Sequence, residues 1–120
     1  MTSAYVDLTQ LRNLTGNDRG FMIEILEMIQ TQSPETVEQM SSQYQNGELK
    51  ELSAAAHKFK SSINVLGNPG LIDLMKNIEL TALDVGGDTQ LDSLMSEFEQ
   101  VCDQLLGHIQ EEVAQLKATA

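Results

Sequence analysis

The chain has 120 residues, enough for one domain whose core can form without a metal or a disulfide. Hydrophobic residues make up 41% of it, and with the eight glycines the apolar share is that of a globular protein rather than a disordered one. Eighteen Asp and Glu against seven Lys and Arg give a net charge of −11, which repels phosphate backbones and anionic lipid and so argues against a nucleic-acid or membrane binder.

No apolar run approaches the roughly 18 residues of a membrane span. The start, Met1 to Asp7, lacks the basic and apolar regions of a signal peptide. Cys102 is the lone cysteine, so no internal disulfide can form. A cytoplasmic protein is the expectation.

Leu, Met, Glu, Gln and Ala dominate, and no stretch alternates as a half-buried strand would, which predicts an all-α fold. A short helix is expected around Leu8–Leu14, followed by a break at Gly16 to Gly20. A longer helical region then runs from about residue 18 to 46. Ser33-Pro34 lies within it and reads two ways: as the cap and first position of a new helix, or as a kink in a continuous one.

After Asn46-Gly47, the segment from Glu48 to Leu66 carries Leu49, Leu52, Ala56, Phe59, Ile63 and Leu66 at alternating three- and four-residue spacings. That is one continuous apolar stripe. Gly67 is placed to end it as a left-handed cap. Asn68 and Pro69 are cap and first residue of the next helix, whose Leu71, Leu74, Met75, Ile78 and Leu83 point to a core. Asp88 is a cap candidate for the last helix, with Leu91, Leu94, Phe98, Val101, Leu105, Ile109, Val113 and Leu116 in rhythm. Four amphipathic helices with short turns predict an antiparallel four-helix bundle with a short extra N-terminal helix. A single domain over 1–120 is expected, with the bundle core at about 18–116.

The opposite face of the third segment carries Ser53, His57, Lys60, Ser61 and Asn64, at helical offsets that share one side and with no large apolar residue among them. Small neighbours at Ser53 and Ser61 leave the imidazole open to a second protein. No acid occurs between Leu52 and Ile72, so Lys58 and Lys60 make the ground around His57 locally positive. An ordinary histidine, with a pKa of ~6.5, is mostly neutral in the cytoplasm and has a nucleophilic lone pair. General acid–base work would want an orienting carboxylate, and none lies within one turn of His57. The pattern suits accepting an anionic group. Spacing alone leaves open a merely solvated histidine between solvated lysines.

The run Ala56-His57-Lys58-Phe59-Lys60-Ser61-Ser62, continuing to Leu66-Gly67 and Leu71, resembles the signature of histidine-containing phosphotransfer (HPt) domains. That pattern has a His, an apolar residue two on, a Lys three on, a small pair and a Gly ten on, matched here by His57, Phe59, Lys60, Ser61-Ser62 and Gly67. The likeness extends to Asp7-Leu8 through Leu14, Phe21 to Leu26, Asn46-Gly47-Glu48 and Ile78-Glu79, and covers the chain to about residue 115.

The resemblance implies that His57 carries a phosphoryl group received from, and passed to, aspartates of response-regulator receiver domains. Lys60 would steady the phosphoryl oxygens, and Ser53, Lys58, Ser61, Asn64 and Gly67 would surround the docking face. It implies no resident cofactor, Mg²⁺ being supplied by the receiver, and no autonomous kinase activity. No Gly-rich phosphate loop occurs, as expected for a carrier without a nucleotide site. A hybrid histidine kinase is a further partner left open, and a monomer is expected because the apolar stripes can all be buried in one bundle. The family usually has Gly where Ser61 stands; a hydroxymethyl group there adds little bulk and can bond back to the His57 carbonyl. A non-catalytic adaptor bundle of the same fold is the alternative. A histidine kinase dimerisation domain would also expose a histidine, but needs an ATP-binding domain for which 120 residues leave no length.

His108, beside Leu105 and Ile109, reads as a core-edge or exposed histidine rather than a second phosphate site. Neither histidine has a Glu three residues before it, so no di-metal carboxylate motif is present and no metal is expected. Asp84, Asp88 and Asp92 lack the calcium-loop pattern and read as turn and cap residues. Cys102, four residues after Phe98, is expected to be a buried thiol.

Overall fold

The computed structural model describes residues 6–84 and 88–118, with the backbone alone described at 88 and 89. The described residues form five α-helices and no strand: α1 (Thr9–Thr15), α2 (Arg19–Gln45), α3 (Leu49–Ile63), α4 (Pro69–Ala82) and α5 (Asp88–Ala118). A 3₁₀ turn, Asn64–Leu66, follows α3 directly.

The capping chemistry sets two of these starts. The Asp18 carboxylate accepts the Phe21 N–H at 3.0 Å, and the Asn68 side chain accepts the Leu71 N–H at 3.1 Å with Pro69 next in line. The expected Asp88 cap falls outside the described side chains.

Ser33-Pro34 does not start a new helix. The buried residues Met22, Leu26, Ile29, Ser33 and Met40 stay in helical phase across the proline, so one continuous α2 buries one continuous stripe. The Ser33 hydroxyl donates backwards to the Ile29 carbonyl at 2.6 Å and caps nothing. Pro34 has no N–H to offer the Gln30 carbonyl, and α2 continues without that bond.

The four longer helices pair cyclically: α3 lies against α4 and α2, and α5 lies against α2 and α4. The short connections 46–48 and 67–68 require each helix to reverse against the one before it. The bundle is elongated, 51 × 21 × 21 Å. Its core is filled by the expected stripes save Leu83, which lies past the end of α4 and is exposed, with Leu52, Ala56, Phe59 and Ile63 of α3 facing Leu71, Met75 and Ile78 of α4 and Leu91, Phe98, Leu105 and Ile109 of α5. The Phe59 and Phe98 rings meet edge to face at 6.0 Å. Tyr44 donates to the Asp92 carboxylate at 2.9 Å and Lys117 to Glu27 at 3.2 Å, so both ends of the α2/α5 pair are tied.

The N-terminal segment closes one end. Val6, Leu8 and Leu11 are buried, and the Asp7 N–H donates to the Leu66 carbonyl at 2.7 Å. Gly67 is required there twice over. Its φ is +65°, and a Cβ at that position would lie 2.6 Å from the Asp7 carbonyl oxygen. The resemblance groups Gly67 with the docking residues; in the structure it is the turn that lets the N-terminal segment lie on the end of α3.

Charge is not spread evenly over this frame. The α2 and α5 segments carry eleven of the eighteen carboxylates and two of the seven cations. Along α3 and α4, four lysines (Lys50, Lys58, Lys60, Lys76) stand against three acids (Glu51, Asp73, Glu79).

Candidate functional site

His57 sits midway along α3 on the side turned from the core stripe. Its side chain is 63% exposed, yet its ring is held: Nδ1 lies 3.1 Å and 3.2 Å from the two oxygens of Glu79 on α4. Lys60, one turn along α3, donates from Nζ to the same carboxylate at 3.2 Å. Lys60 and Glu79 are partly buried, with side-chain exposures of 26% and 22%.

This corrects one expectation of the sequence. An orienting carboxylate does stand beside His57, contributed from 22 residues away in the chain by the neighbouring helix. The ground around His57 is therefore balanced by Glu79 rather than simply positive. Burial pushes the Glu79 carboxyl up, but hydrogen bonds and charge from Lys60 and His57 outweigh that and hold it below its ordinary value. At neutral pH it is ionised and can only accept.

The tautomer follows from that partner. An ionised carboxylate at Nδ1 requires the proton to reside on Nδ1, which leaves the lone pair on Nε2. Nδ1 is engaged and the ring is otherwise open, so the free nitrogen is available to a second molecule. Such a ring is oriented for nucleophilic attack. Lys60 has donors beyond the one given to Glu79, so it can hold that carboxylate and an incoming anion together.

Ser53 also departs from the expected exposed face. It is buried, and its hydroxyl donates to the Glu79 backbone carbonyl at 2.8 Å. That carbonyl belongs to the last turn of α4, where the helix has no N–H left to satisfy it. Ser53 thus caps α4 from the side and pins the turn carrying Glu79 against α3. It is a positioning residue, not a contact surface.

The remaining site residues lie as follows. Lys58 and Ser61 are exposed on α3, and Asn64 is exposed at the start of the 3₁₀ turn. The Ser61 hydroxyl makes no bond back to the His57 carbonyl, so the local compensation expected from it is not used. Beside them, a groove of about 570 Å³ runs between α2 and α3, lined by Gln32, Thr36 and Gln39 on one wall and Ala54, Ala55 and Lys58 on the other. Glu35 and Glu51 also line it.

His108 is at the edge of the bundle, 32% exposed, with Glu111 3.9 Å away. The Cys102 thiol is buried, and burial pushes its pKa up to about 12, so it is an inert filler of the core. Among the described residues, no group of three or more His, Cys, Asp or Glu side chains is gathered as metal ligands would be. No described helix is long and apolar enough to cross a membrane.

Fold and site together define a helical bundle that presents one oriented, solvent-facing histidine. Comparison with known protein families agrees: the family model described as "Hpt domain" matches residues 24–119. The chain belongs to the Hpt domain family, the histidine phosphotransfer modules of two-component phosphorelays. No curated protein and no solved structure gives a significant match.

Proposed function

We propose that His57 is the phosphoryl-accepting residue of this Hpt domain, charged by a receiver-domain aspartyl phosphate and discharged to another receiver. The observation that carries this reading is the Nδ1 contact to Glu79, which leaves Nε2 of an exposed imidazole as the free nucleophile.

In this mechanism the Nε2 lone pair forms the N–P bond while the P–O bond to the aspartyl carboxylate breaks. The carboxylate departs with that electron pair. The Nδ1 proton stays hydrogen-bonded to Glu79, whose negative charge compensates the cationic ring that forms. Lys60 supplies positive charge to the phosphoryl oxygens without leaving its place on α3. Onward transfer is the same step in reverse, to a different aspartate. Mg²⁺ is assigned to the receiver and no cofactor to this chain.

The receiver meets α3 and part of α2, where the groove lined by Lys58 admits a protruding helix or loop and exposed Ser61 and Asn64 lie further along α3 and its 3₁₀ extension. Around His57 itself the near-balanced charge of α3 and α4 supports that choice, because an aspartyl phosphate is repelled less there than along the acidic α5. The module acts as a monomer, without kinase activity of its own; a hybrid histidine kinase fits as the upstream source of phosphate. A cytoplasmic setting suits its unpaired, buried Cys102.

The test mixes the protein with a phosphorylated receiver and follows phosphate by intact mass. Uptake by the wild type, acid-labile and alkali-stable, with none by a folded His57→Gln variant, is the expected result. Equal uptake by both would remove His57 and direct attention to His108. Uptake by neither, across several receivers, would leave the adaptor reading.

A further inference from the structure

The α2/α5 seam, across the bundle from the His57 side, has features that the transfer reaction does not use. A groove of about 550 Å³ runs along it, with Pro34 and Val37 on one wall and Leu106 on the other. Glu38, Glu99 and Asp103 stand along its sides, and no lysine or arginine lines it. This is the part of the molecule that carries most of the net negative charge.

Each candidate occupant can be weighed by charge. A second copy would set the same three carboxylates, Glu38, Glu99 and Asp103, against those of the first, on helices that together carry eleven carboxylates and two cations. A nucleic acid, an anionic membrane or a receiver's aspartyl phosphate is repelled for the same reason. What remains is a cationic partner. The long parallel walls of two packed helices, with apolar side chains at their base, match a third helix laid into them.

We propose that the α2/α5 groove is a docking site for a cationic amphipathic helix of a partner protein. Its apolar stripe would cover Val37 and Leu106, and its lysines or arginines would face Glu38, Glu99 and Asp103. The site lies away from His57, so docking there leaves the imidazole open, and one module can be tethered while it exchanges phosphate. The proposal stands independently of the role assigned to His57.

The probe is a synthetic amphipathic helix with leucines at i, i+3, i+4 and i+7 and lysines elsewhere, titrated into the full chain by NMR. Controls are a scrambled peptide of equal charge and a version with glutamate for lysine. Shifts confined to α2 and α5, and binding at least about tenfold tighter than the scrambled peptide, are expected. Val37→Gln with Leu106→Gln should weaken binding about tenfold, and Glu99→Gln with Asp103→Asn should weaken it and flatten its salt dependence. Phosphate uptake at His57 should be unchanged in both variants, which also reports that they are folded. The scrambled peptide binding equally well would overturn the proposal, as would shifts spread over the acidic surface or centred on α3 and α4. Concentration-dependent self-association through α2 and α5 would replace it with a homodimer.

Discussion

The α3/α4 and α2/α5 pairs are both seams between packed helices, but polar contacts are distributed along them differently. On α3/α4 the polar contacts converge on one residue: Ser53 on the Glu79 carbonyl, His57 and Lys60 on its carboxylate. On α2/α5 two contacts lie far apart, Tyr44 with Asp92 and Lys117 with Glu27, and an acidic groove runs along the seam. One seam holds an imidazole in place through a residue on which its hydrogen bonds converge. The other keeps its length apart from anions. Function in this bundle is set by what fills the seam, since the pairing of helices is the same in kind.

The largest effect should come from removing the residue on which the first seam converges. Glu79→Ala leaves the imidazole unoriented and Lys60 unpaired, and should slow transfer to His57 about 10- to 100-fold with little change in receiver affinity. Single-turnover rates against receiver concentration separate the two. A Glu79→Ala protein that transfers at the wild-type rate would show that the contact is structural only.

The same carboxylate has a signature in stability. Its folded pKa lies below its ordinary value of 4.5, so the contribution of the contact is fully present above that value. It is lost as pH falls through the lower folded value. Melting temperatures measured from pH 7 down to 3 should therefore drop more steeply for the wild type than for Glu79→Gln, whose amide cannot ionise.

A smaller effect is expected at Ser53. Ser53→Ala leaves a last-turn carbonyl of α4 without a donor and should cost about 1–3 kcal/mol in urea unfolding. It should also slow transfer, by less than Glu79→Ala does, because the carboxylate remains but its turn is less firmly held. The imidazole Nδ1–H resonance, broadened in Ser53→Ala and sharp in the wild type, distinguishes this from simple destabilisation.

The smallest effect is expected at Ser61, which is exposed and makes no hydrogen bond to the helix backbone. Ser61→Gly should transfer as fast as the wild type or faster, and a loss of transfer would show that the hydroxyl takes part.

Much of this arrangement is legible in the sequence where the information is local. The α3 stripe from Leu49 to Leu66, the Asn68-Pro69 start of α4 and the burial of Cys102 each follow from spacing or from a single residue's chemistry. The histidine and its lysine are legible for the same reason, being three residues apart on one helix. Glu79 is not, because its contact depends on how α4 is set along α3, and no spacing within either helix encodes that. Ser53 misleads for a related reason. A helical wheel gives the angle at which a side chain leaves its own helix, not whether a neighbour covers it, and α4 covers Ser53. Ser33-Pro34 has the residues of a helix start, but the apolar phase from Met22 to Met40 runs through it, and burial of that stripe outweighs the local signal.

The placement of Lys60 has a consequence for how reversible the carrier is. A cation recruited to a phosphate is stranded when the phosphate leaves, and a stranded charge biases the exchange towards holding on. Here the ammonium is already bonded to Glu79 at 3.2 Å in the empty protein, so it keeps that partner whether or not an anion is present. On the role proposed for His57, Lys60 therefore adds little bias towards holding the phosphoryl group, and the direction of flow is left to the receivers.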